Sequence, residues 1–472
     1  MGSEAGNKPI MDGRSSRVLL QHLGALSASN VGTLFGLALG WSSAAKAIYS
    51  EAEQQRTQGF VVDLEQWSWV SSLYGLGALA GSVAFSRLVF PLGRKRVILL
   101  VGPVSAASCM LLLWASSVWM LYAGRVGQGL SSGMAAVATP IYISEMSSPD
   151  IRGALATYFE ILLCLGILVM YTLGKFLAVY WVNVVCLSVG VLHSVCFMWF
   201  PDTPRWHLLH GREREARESL LFYRGRDYDV DAEIKIINDG IKESAAKAVS
   251  GWRAFSARPA RKALILAVTL MTMQQVTGVN AITFYASKLF EEAGVGDGHL
   301  ASIIVAAVEV VAAVVSLGFV DRLGRRTLLM MSGASLAICT GIMGVYFFFK
   351  ASSSSAPRDF KGEDVSTITW VPILVVSVYM FMFSVGFGPV IWVMLGEMFP
   401  DNVKGVATGV AAGVGWFFSF AVTKFYPTLS VALGEYTCYW IFFGFSILSC
   451  LFIGFCLPET KGKTLDEIQE EL

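Results

Sequence analysis

Hydrophobic residues in this chain gather into long runs rather than the narrow periodic stripe of a soluble helix. Stretches such as 97–123, 154–174 and 437–457 continue for about 20 residues or more with few or no charges, enough to cross a hydrocarbon core about 30 Å thick. Twelve such segments fall at 18–44, 66–88, 97–116, 119–142, 154–177, 179–200, 262–290, 299–320, 327–349, 369–396, 405–427 and 437–457. The longest polar stretch, 201–261, separates the sixth from the seventh. The pattern predicts an all-α membrane protein of twelve transmembrane helices. It divides into an N-terminal six-helix bundle (1–200), a linker (201–261), a C-terminal six-helix bundle (262–457) and a tail (458–472). Within the linker, the charged segments from Arg212 to Leu221 and around Asp231 to Ala248 predict short amphipathic helices beneath the bundles.

Polar positions set the orientation. Alternation puts both termini, 201–262 and the turns at 87–96, 145–152, 321–326 and 398–404 on one side. Of 36 Lys and Arg, 27 fall there, eight lie on or near the other side (Lys46, Arg56, Lys175, Lys288, Lys350, Arg358, Lys361, Lys424), and Arg125 is inside a span. That bias makes the loaded side, with both termini, cytoplasmic. Composition agrees: 54% of residues are hydrophobic, 15% are charged, and the 46 glycines raise the apolar share to roughly 64%, against about 45–50% in soluble domains. The net charge of +1 points to no polyanionic partner, so no nucleic acid is expected. The run starting near Val18 carries Asn30 and several glycines and is followed by many others, which argues against a cleaved signal peptide. All eight cysteines sit in apolar runs and suggest neither a metal site nor a disulfide framework. The five histidines share no spacing with a Ser or Cys nucleophile and no phosphate loop is present, so neither an enzyme nor a cofactor is expected.

The chain also repeats itself. Gly93-Arg-Lys-Arg follows the second span and Gly324-Arg-Arg-Thr the eighth. Glu145 with Arg152 ends the fourth span, and Glu397 with Lys404, at the same spacing, ends the tenth. Pro201-Asp-Thr-Pro-Arg closes the sixth span and Pro458-Glu-Thr-Lys-Gly the twelfth. Two parallel six-span halves place a substrate path at their interface, with rocking of the halves giving alternating access. Positive charge alone would satisfy topology, whereas carboxylates at matching positions suggest ion pairs. The expectation is that Glu145 and Glu397 pair across the cytoplasmic mouth with Arg94, Arg152, Arg325 and Arg326 while the inside is closed.

Side chains that both donate and accept, beside an apolar face, suit a neutral polar ligand. Gln274, Gln275 and Asn280 cluster in the seventh span, where six positions at about 100° each leave Gln274 and Asn280 about 120° apart, able to flank one ligand. The alternative is that these amides stitch neighbouring helices together. Thr277 and Gly278 beside them can loosen the helix. Pro389 with Gly386 and Gly388 can break the tenth span, a feature tolerated in membranes where it lines a cavity.

Together these motifs resemble the sugar porter family of the major facilitator superfamily. The resemblance runs from about Gly32 to Ile468, through Pro140-Ile-Tyr-Ile-Ser-Glu-Met, Asp150-Ile-Arg-Gly-Ala, Pro201-Asp-Thr-Pro-Arg, Gln274-Gln-Val-Thr-Gly-Val-Asn, Asp321-Arg-Leu-Gly-Arg-Arg, Gly388-Pro-Val-Ile-Trp and Pro458-Glu-Thr-Lys-Gly. Within it, Phe35 to Ser43, Arg261-Lys262 and Trp416 to Pro427 with its Thr-Lys pair look like the animal facilitators grouped with insect trehalose transporters. The resemblance implies that Gln274, Gln275 and Asn280 contact sugar, that Trp392 supplies an apolar platform with Phe383 and Trp416 as further wall candidates, and that Phe284, Tyr285 and Pro389 belong to an extracellular gate.

Several positions depart from the family pattern. Glu160 and Glu309 stand where amides are usual, about 12 Å and about 18 Å along their helices from Arg152 and Asp321, and intramembrane carboxylates are functional by default. They are read first as sugar ligands, then as structural, then as proton carriers. Ala38 replaces the aspartate common in proton-coupled members, which leaves Arg125 seeking another acid; Glu160 is the expected partner. Phe90 replaces a usual acid at the first Gly-Arg turn, whose second-half counterpart keeps Asp321, while Ser419 and Ser384 replace polar contacts. The resulting expectation is a facilitative uniporter for trehalose or a hexose such as glucose. A proton symporter using Glu160 or Glu309 and a non-transporting sensor are the alternatives. It is expected to act as a monomer in a lipid bilayer at the plasma membrane, with an internal membrane as the alternative address.

Overall fold

The computed structural model describes residues 18–50, 60–226, 228–246, 258–355, 368–399, 401–461 and 467. The first six spans are Val18–Ser50, Leu64–Leu92, Arg94–Leu113, Val118–Met146, Tyr158–Phe176 and Val179–Phe197, with a short turn of helix, Arg152–Ala156, leading into the fifth. The seventh is in pieces, Arg258–Val276, Val279–Phe284 and Ala286–Ala293. Gly298–Leu323 and Arg325–Ser355 follow as the eighth and ninth. The tenth runs Trp370–Met382, a π-helical turn Phe383–Phe387, then Pro389–Met398; Asp401–Leu433 and Glu435–Cys456 complete the set. Most of the polar loop 350–368 and the side chains of Asp321 and Lys404 lie outside the described residues.

Eleven of these helices are long and apolar enough to cross a membrane; the fourth falls short. The fourth span carries buried Arg125, Gln128, Ser131, Ser132 and Thr139 and packs between the second and third. A helix surrounded by protein needs fewer apolar side chains than one facing lipid, so its polarity reflects its neighbours. Glycines permit the crossings, as small residues do in membrane bundles. A Cβ on Gly36 would lie 2.0 Å from Leu163 O where the first and fifth spans meet, and one on Gly129 would lie 2.0 Å from Tyr74 O where the fourth meets the second.

The halves meet along two seams, the second span against the eleventh and the fifth against the eighth. In the first seam the helices run antiparallel: Gly75 lies against Phe420, Val83 against Gly413 and Ser86 against Gly409. Three helices, Pro204–Leu209, Glu213–Arg224 and Val230–Ala246, follow the sixth span. The second of them is tied under the first half: Tyr223 Oη donates to Tyr142 Oη (2.5 Å), which donates to Pro201 O (2.9 Å). Gln21 Nε2 donates to Tyr223 O (3.2 Å) and Arg224 to Met146 O (2.8 Å).

Substituting Gly36→Val forces the first and fifth spans apart, an overpacking cost of about 1–3 kcal/mol. We expect it to lower the melting temperature of the detergent-solubilised protein. Gly153→Ala, whose Cβ meets nothing within 4 Å, should leave melting unchanged.

Candidate functional site

The seventh span breaks at Gly278, whose φ of 99° suits glycine alone and whose Cβ would lie 2.6 Å from the Phe442 ring. The break leaves Gln274 and Gln275 at the end of one segment and Asn280 at the start of the next. Their amides form a chain. Asn280 Nδ2 donates to Ser419 Oγ (2.8 Å) on the eleventh span and also to Gln275 Oε1, and Gln275 Nε2 donates to Gln274 Oε1 (3.0 Å). Gln274 Nε2 donates to Phe387 O (2.7 Å) and reaches Gly388 O at 3.4 Å, in the broken part of the tenth span. Gln274 is only 4% exposed, whereas Gln275 and Asn280 are half-buried. The Asn280 carbonyl has no hydrogen-bond partner among the described residues. The stitching reading holds for Gln274, which ties the seventh span to the tenth, and for Asn280, which ties it to the eleventh; Gln275 and Asn280 are the more exposed members of the cluster.

The break in the tenth span is satisfied internally. Ser332 Oγ, on the ninth span, donates to Met382 O (2.7 Å) and accepts from Phe387 N (3.3 Å), while Gly388 N donates to Phe383 O (2.8 Å). A Cβ on Gly386 would lie 2.4 Å from Ser332 Cβ. Pro389, with no N–H to lose, opens the last segment. Trp392 follows it, 38% exposed; Phe383 is half-buried. Ser332 carries no signal in the sequence, because serines are frequent in these spans and nothing distinguishes one facing a π-turn.

The two unusual carboxylates face this region from different halves. A Cβ on Gly388 would sit 3.7 Å from Glu160 Oε1. Glu309 is 6% exposed beside a cavity of about 10 Å³, room for one water, lined also by Tyr171, Ile282, Thr283, Phe290 and Met380. Neither carboxylate has a hydrogen-bond or ion-pair partner among the described residues, so both can accept from hydroxyls.

Arg125 does not pair with Glu160. Its guanidinium donates to Val70 O (3.1 Å), Ala38 O (2.7 Å), Gln128 Oε1 (2.6 Å) and Ser42 Oγ (3.0 Å). It also lies over the rings of Trp41, Tyr74 and Phe284 at 5.4, 5.0 and 5.7 Å. Neutral acceptors and rings replace the missing acid, a solution invisible in sequence because half of it is main chain.

Phe284 and Tyr285 are each 1% exposed and belong to a closed face opposite the termini. Tyr285 Oη donates to Thr423 O (3.1 Å). Across the halves, Tyr171 Oη donates to Thr283 O (2.6 Å), Ser43 and Ser287 hydroxyls meet at 2.8 Å, and Phe284 packs on Tyr74 at 5.7 Å. Trp416 lies against Phe35 (5.8 Å) and Tyr74 (6.2 Å) of the first half, so it helps seal the halves together.

On the face bearing the termini, the expected ion pairs across the mouth are corrected: each lies inside one half. Arg94 donates to Glu145 (2.9 Å), which also accepts from Thr203 Oγ1. Arg325 donates to Glu397 (2.9 Å), which also accepts from Thr460 Oγ1 (2.6 Å). Asp202 accepts from Lys95 N (3.2 Å), as Glu459 accepts from Arg325 N (2.9 Å) and Arg326 N (3.1 Å). Partial burial pushes the Glu459 carboxyl up, but N–H donors of Lys461, Arg325, Arg326 and Thr460 outweigh it and hold it below its ordinary value. Arg152 reaches Ser147 O (3.5 Å) and Arg326 the carbonyl of Gly454. In place of the usual acid, the Phe90 ring lies under Arg94 at 5.1 Å. The motifs brace each half through the ends of its helices.

Residues 24–472 match the sequence pattern of the family described as sugar (and other) transporter. The chain is similar to the facilitated trehalose transporter Tret1-2 homolog of Drosophila simulans, at 33% identity over 96% of this chain and 91% of that one. It is likewise similar to the facilitated trehalose transporter Tret1 of Polypedilum vanderplanki, at 32% identity over 96% of this chain and 88% of that one. Among solved structures, the xylose transporter XylE of E. coli in a partially occluded inward-open conformation aligns with a TM-score of 0.76 at 21% identity, over 94% of this chain and 99% of that one. The proton:xylose symporter XylE bound to 6-bromo-6-deoxy-D-glucose aligns with a TM-score of 0.74 at 22% identity, over 97% and 100%. At that identity the likeness establishes the shared fold.

The two braces differ in burial, with side-chain exposures of 2% and 11% for Arg94 and Glu145 against 14% and 29% for Arg325 and Glu397. Breaking a buried pair costs about 3–5 kcal/mol, whereas solvent-screened pairs are worth about 0–1 kcal/mol. Arg94→Ala should therefore lower the melting temperature of the purified protein several times more than Arg325→Ala; equal losses would contradict the assignment.

Proposed function

We propose that this chain, which belongs to the sugar (and other) transporter family, carries a neutral sugar down its gradient as a uniporter by alternating access between its two halves. The observation that carries this reading is the amide chain from Ser419 to the broken tenth span, with Gln275 and Asn280 half-buried at its middle. A sugar hydroxyl donates and accepts at once, and an amide offers the complementary pair. Glu160 and Glu309, one from each half, accept hydrogen bonds from further hydroxyls, and Trp392 lies under the apolar ring face. Gln274 stands one layer back, holding the tenth span.

Trehalose is favoured over a hexose because the similar insect proteins are named facilitated trehalose transporters. Uniport is favoured over proton symport because Arg125 is satisfied by main-chain, amide and hydroxyl acceptors beside Ala38, leaving no acid at that position to release a proton. With the termini cytoplasmic, the closed face looks outward, and Phe284 and Tyr285 form its gate. We place the protein in the plasma membrane, acting as a monomer.

The test is uptake of radiolabelled trehalose and glucose into proteoliposomes, with and without an inward proton gradient. We expect saturable uptake that stops at equal concentrations in both conditions. Asn280→Ala and Gln275→Ala should each raise KM about three- to tenfold, the worth of one hydrogen bond. Accumulation above equal concentrations under the gradient would overturn uniport, and an unchanged KM in both variants would remove the amides from the sugar site.

A further inference from the structure

The Thr423-Lys424 pair in the eleventh span has no part in the sugar path just described. Lys424 is 9% exposed, and its Nζ donates to Ser68 Oγ (2.7 Å) on the second span and lies 4.3 Å from the centroid of the Trp69 ring. Both contacts cross from the second half to the first. Ser68 donates its own proton to Glu65 O (2.6 Å), which leaves its oxygen lone pairs for the ammonium. One turn earlier, Phe420 packs against Trp69 at 6.0 Å and against the backbone at Gly75, so apolar groups flank Lys424 in the seam. Asp63 and Glu65 act on Lys424 by charge from the head of the second span.

The internal repeat supplies a counterpart. Asp63 heads the second span by accepting from Gln66 N (2.7 Å), and Asp297 heads the eighth by accepting from Leu300 N (2.8 Å). A serine follows each aspartate at the same spacing, Ser68 and Ser302. Lys175, near the end of the fifth span, forms an ion pair with Asp297 across the halves. The fifth span thus sends a lysine to the head of the eighth, and the eleventh sends one to the head of the second. The same device occurs once in each seam, at the closed face.

We infer that Lys424 and Lys175 are positioning residues that latch this face shut, and that the buried Lys424 latch is the stronger. The inference rests on the alternating-access reading. When the halves rock apart, Lys424 must leave Ser68 and the Trp69 ring together, whereas Lys175 exchanges one partly hydrated contact for water. The Lys175–Asp297 pair, with side chains 22% and 47% exposed, is open to salt, whose screening length is about 3 Å at 1 M. Lys424, 9% exposed with its Nζ between Ser68 Oγ and the Trp69 ring, is less open to it.

The test is pulsed electron paramagnetic resonance between nitroxides at Leu64→Cys and Leu433→Cys, exposed positions at the closed ends of the second and eleventh spans. The full chain is used in nanodiscs without sugar, with the exposed Cys196 and Cys456 replaced by serine. We expect Lys424→Met to shift the closed-to-open ratio about tenfold toward long distances, as loss of a desolvated cation–ring contact requires, at both low and 1 M salt. Lys175→Met should shift it less, and 1 M salt on the unaltered latches should reproduce that smaller shift. Trp69→Leu and Ser68→Ala should mimic Lys424→Met and fail to add to it; they carry the test if Lys424→Met does not fold. Unchanged distances in these variants, or additive shifts, would overturn the latch. Sugar uptake measured in parallel separates the two ideas, since distances can move in a protein that carries no sugar.

Discussion

A backbone carbonyl inside a hydrocarbon layer has no water to turn to, so a membrane helix breaks only where the protein itself completes the missing hydrogen bonds. The tenth span is interrupted in mid-membrane at Phe383–Phe387, and its loose carbonyls are met by Ser332 at Met382 and by Gln274 at Phe387. That requirement organises the site. Gln274 is committed to the tenth span, Gln275 to Gln274, and Asn280 bridges Gln275 to Ser419, so one line of amides ties the seventh, tenth and eleventh spans. Any ligand gripped by Gln275 and Asn280 therefore pulls on the segment that bends.

Charge in the structure follows the same rule of internal satisfaction. Arg125 has no acid beside it among the described residues, yet two main-chain carbonyls, a glutamine, a serine and three rings surround it. The Gly-Arg turns are closed within their own halves by Glu145 and Thr203 and by Glu397 and Thr460. Each half is thus braced on the face that bears the termini, while polar contacts between the halves, such as Tyr171 to Thr283 and Lys424 to Ser68, lie toward the opposite face. A pair of stiff bodies hinged in this way can rock as units.

Much of this was legible in the sequence. The spans, the repeat, the breaks at Gly278 and around Pro389 and the carboxylates Glu160 and Glu309 all follow from composition, spacing and the cost of placing polar groups in lipid. What was not legible concerns partners. Sequence spacing says that Glu145 and Glu397 occupy matching sites, but not whether their arginines belong to the same half or the other. The neighbours of Arg125 are largely carbonyls, which every residue carries. The reach of Lys424 to Ser68 depends on the register of the second span against the eleventh, which is set by glycine contacts such as Gly75 against Phe420.

We propose a division of labour in the seventh span: Gln274 holds the tenth span, while Gln275 and Asn280 hold the sugar. The most direct measurement compares sugar binding at equilibrium with the turnover rate in Gln274→Leu and Asn280→Ala, both reconstituted at matched amounts of folded protein. The account predicts that Gln274→Leu binds sugar within a few-fold of the unaltered chain but turns over much more slowly, while Asn280→Ala weakens binding. Loss of binding in Gln274→Leu equal to that in Asn280→Ala, with turnover at saturating sugar unchanged, would contradict it.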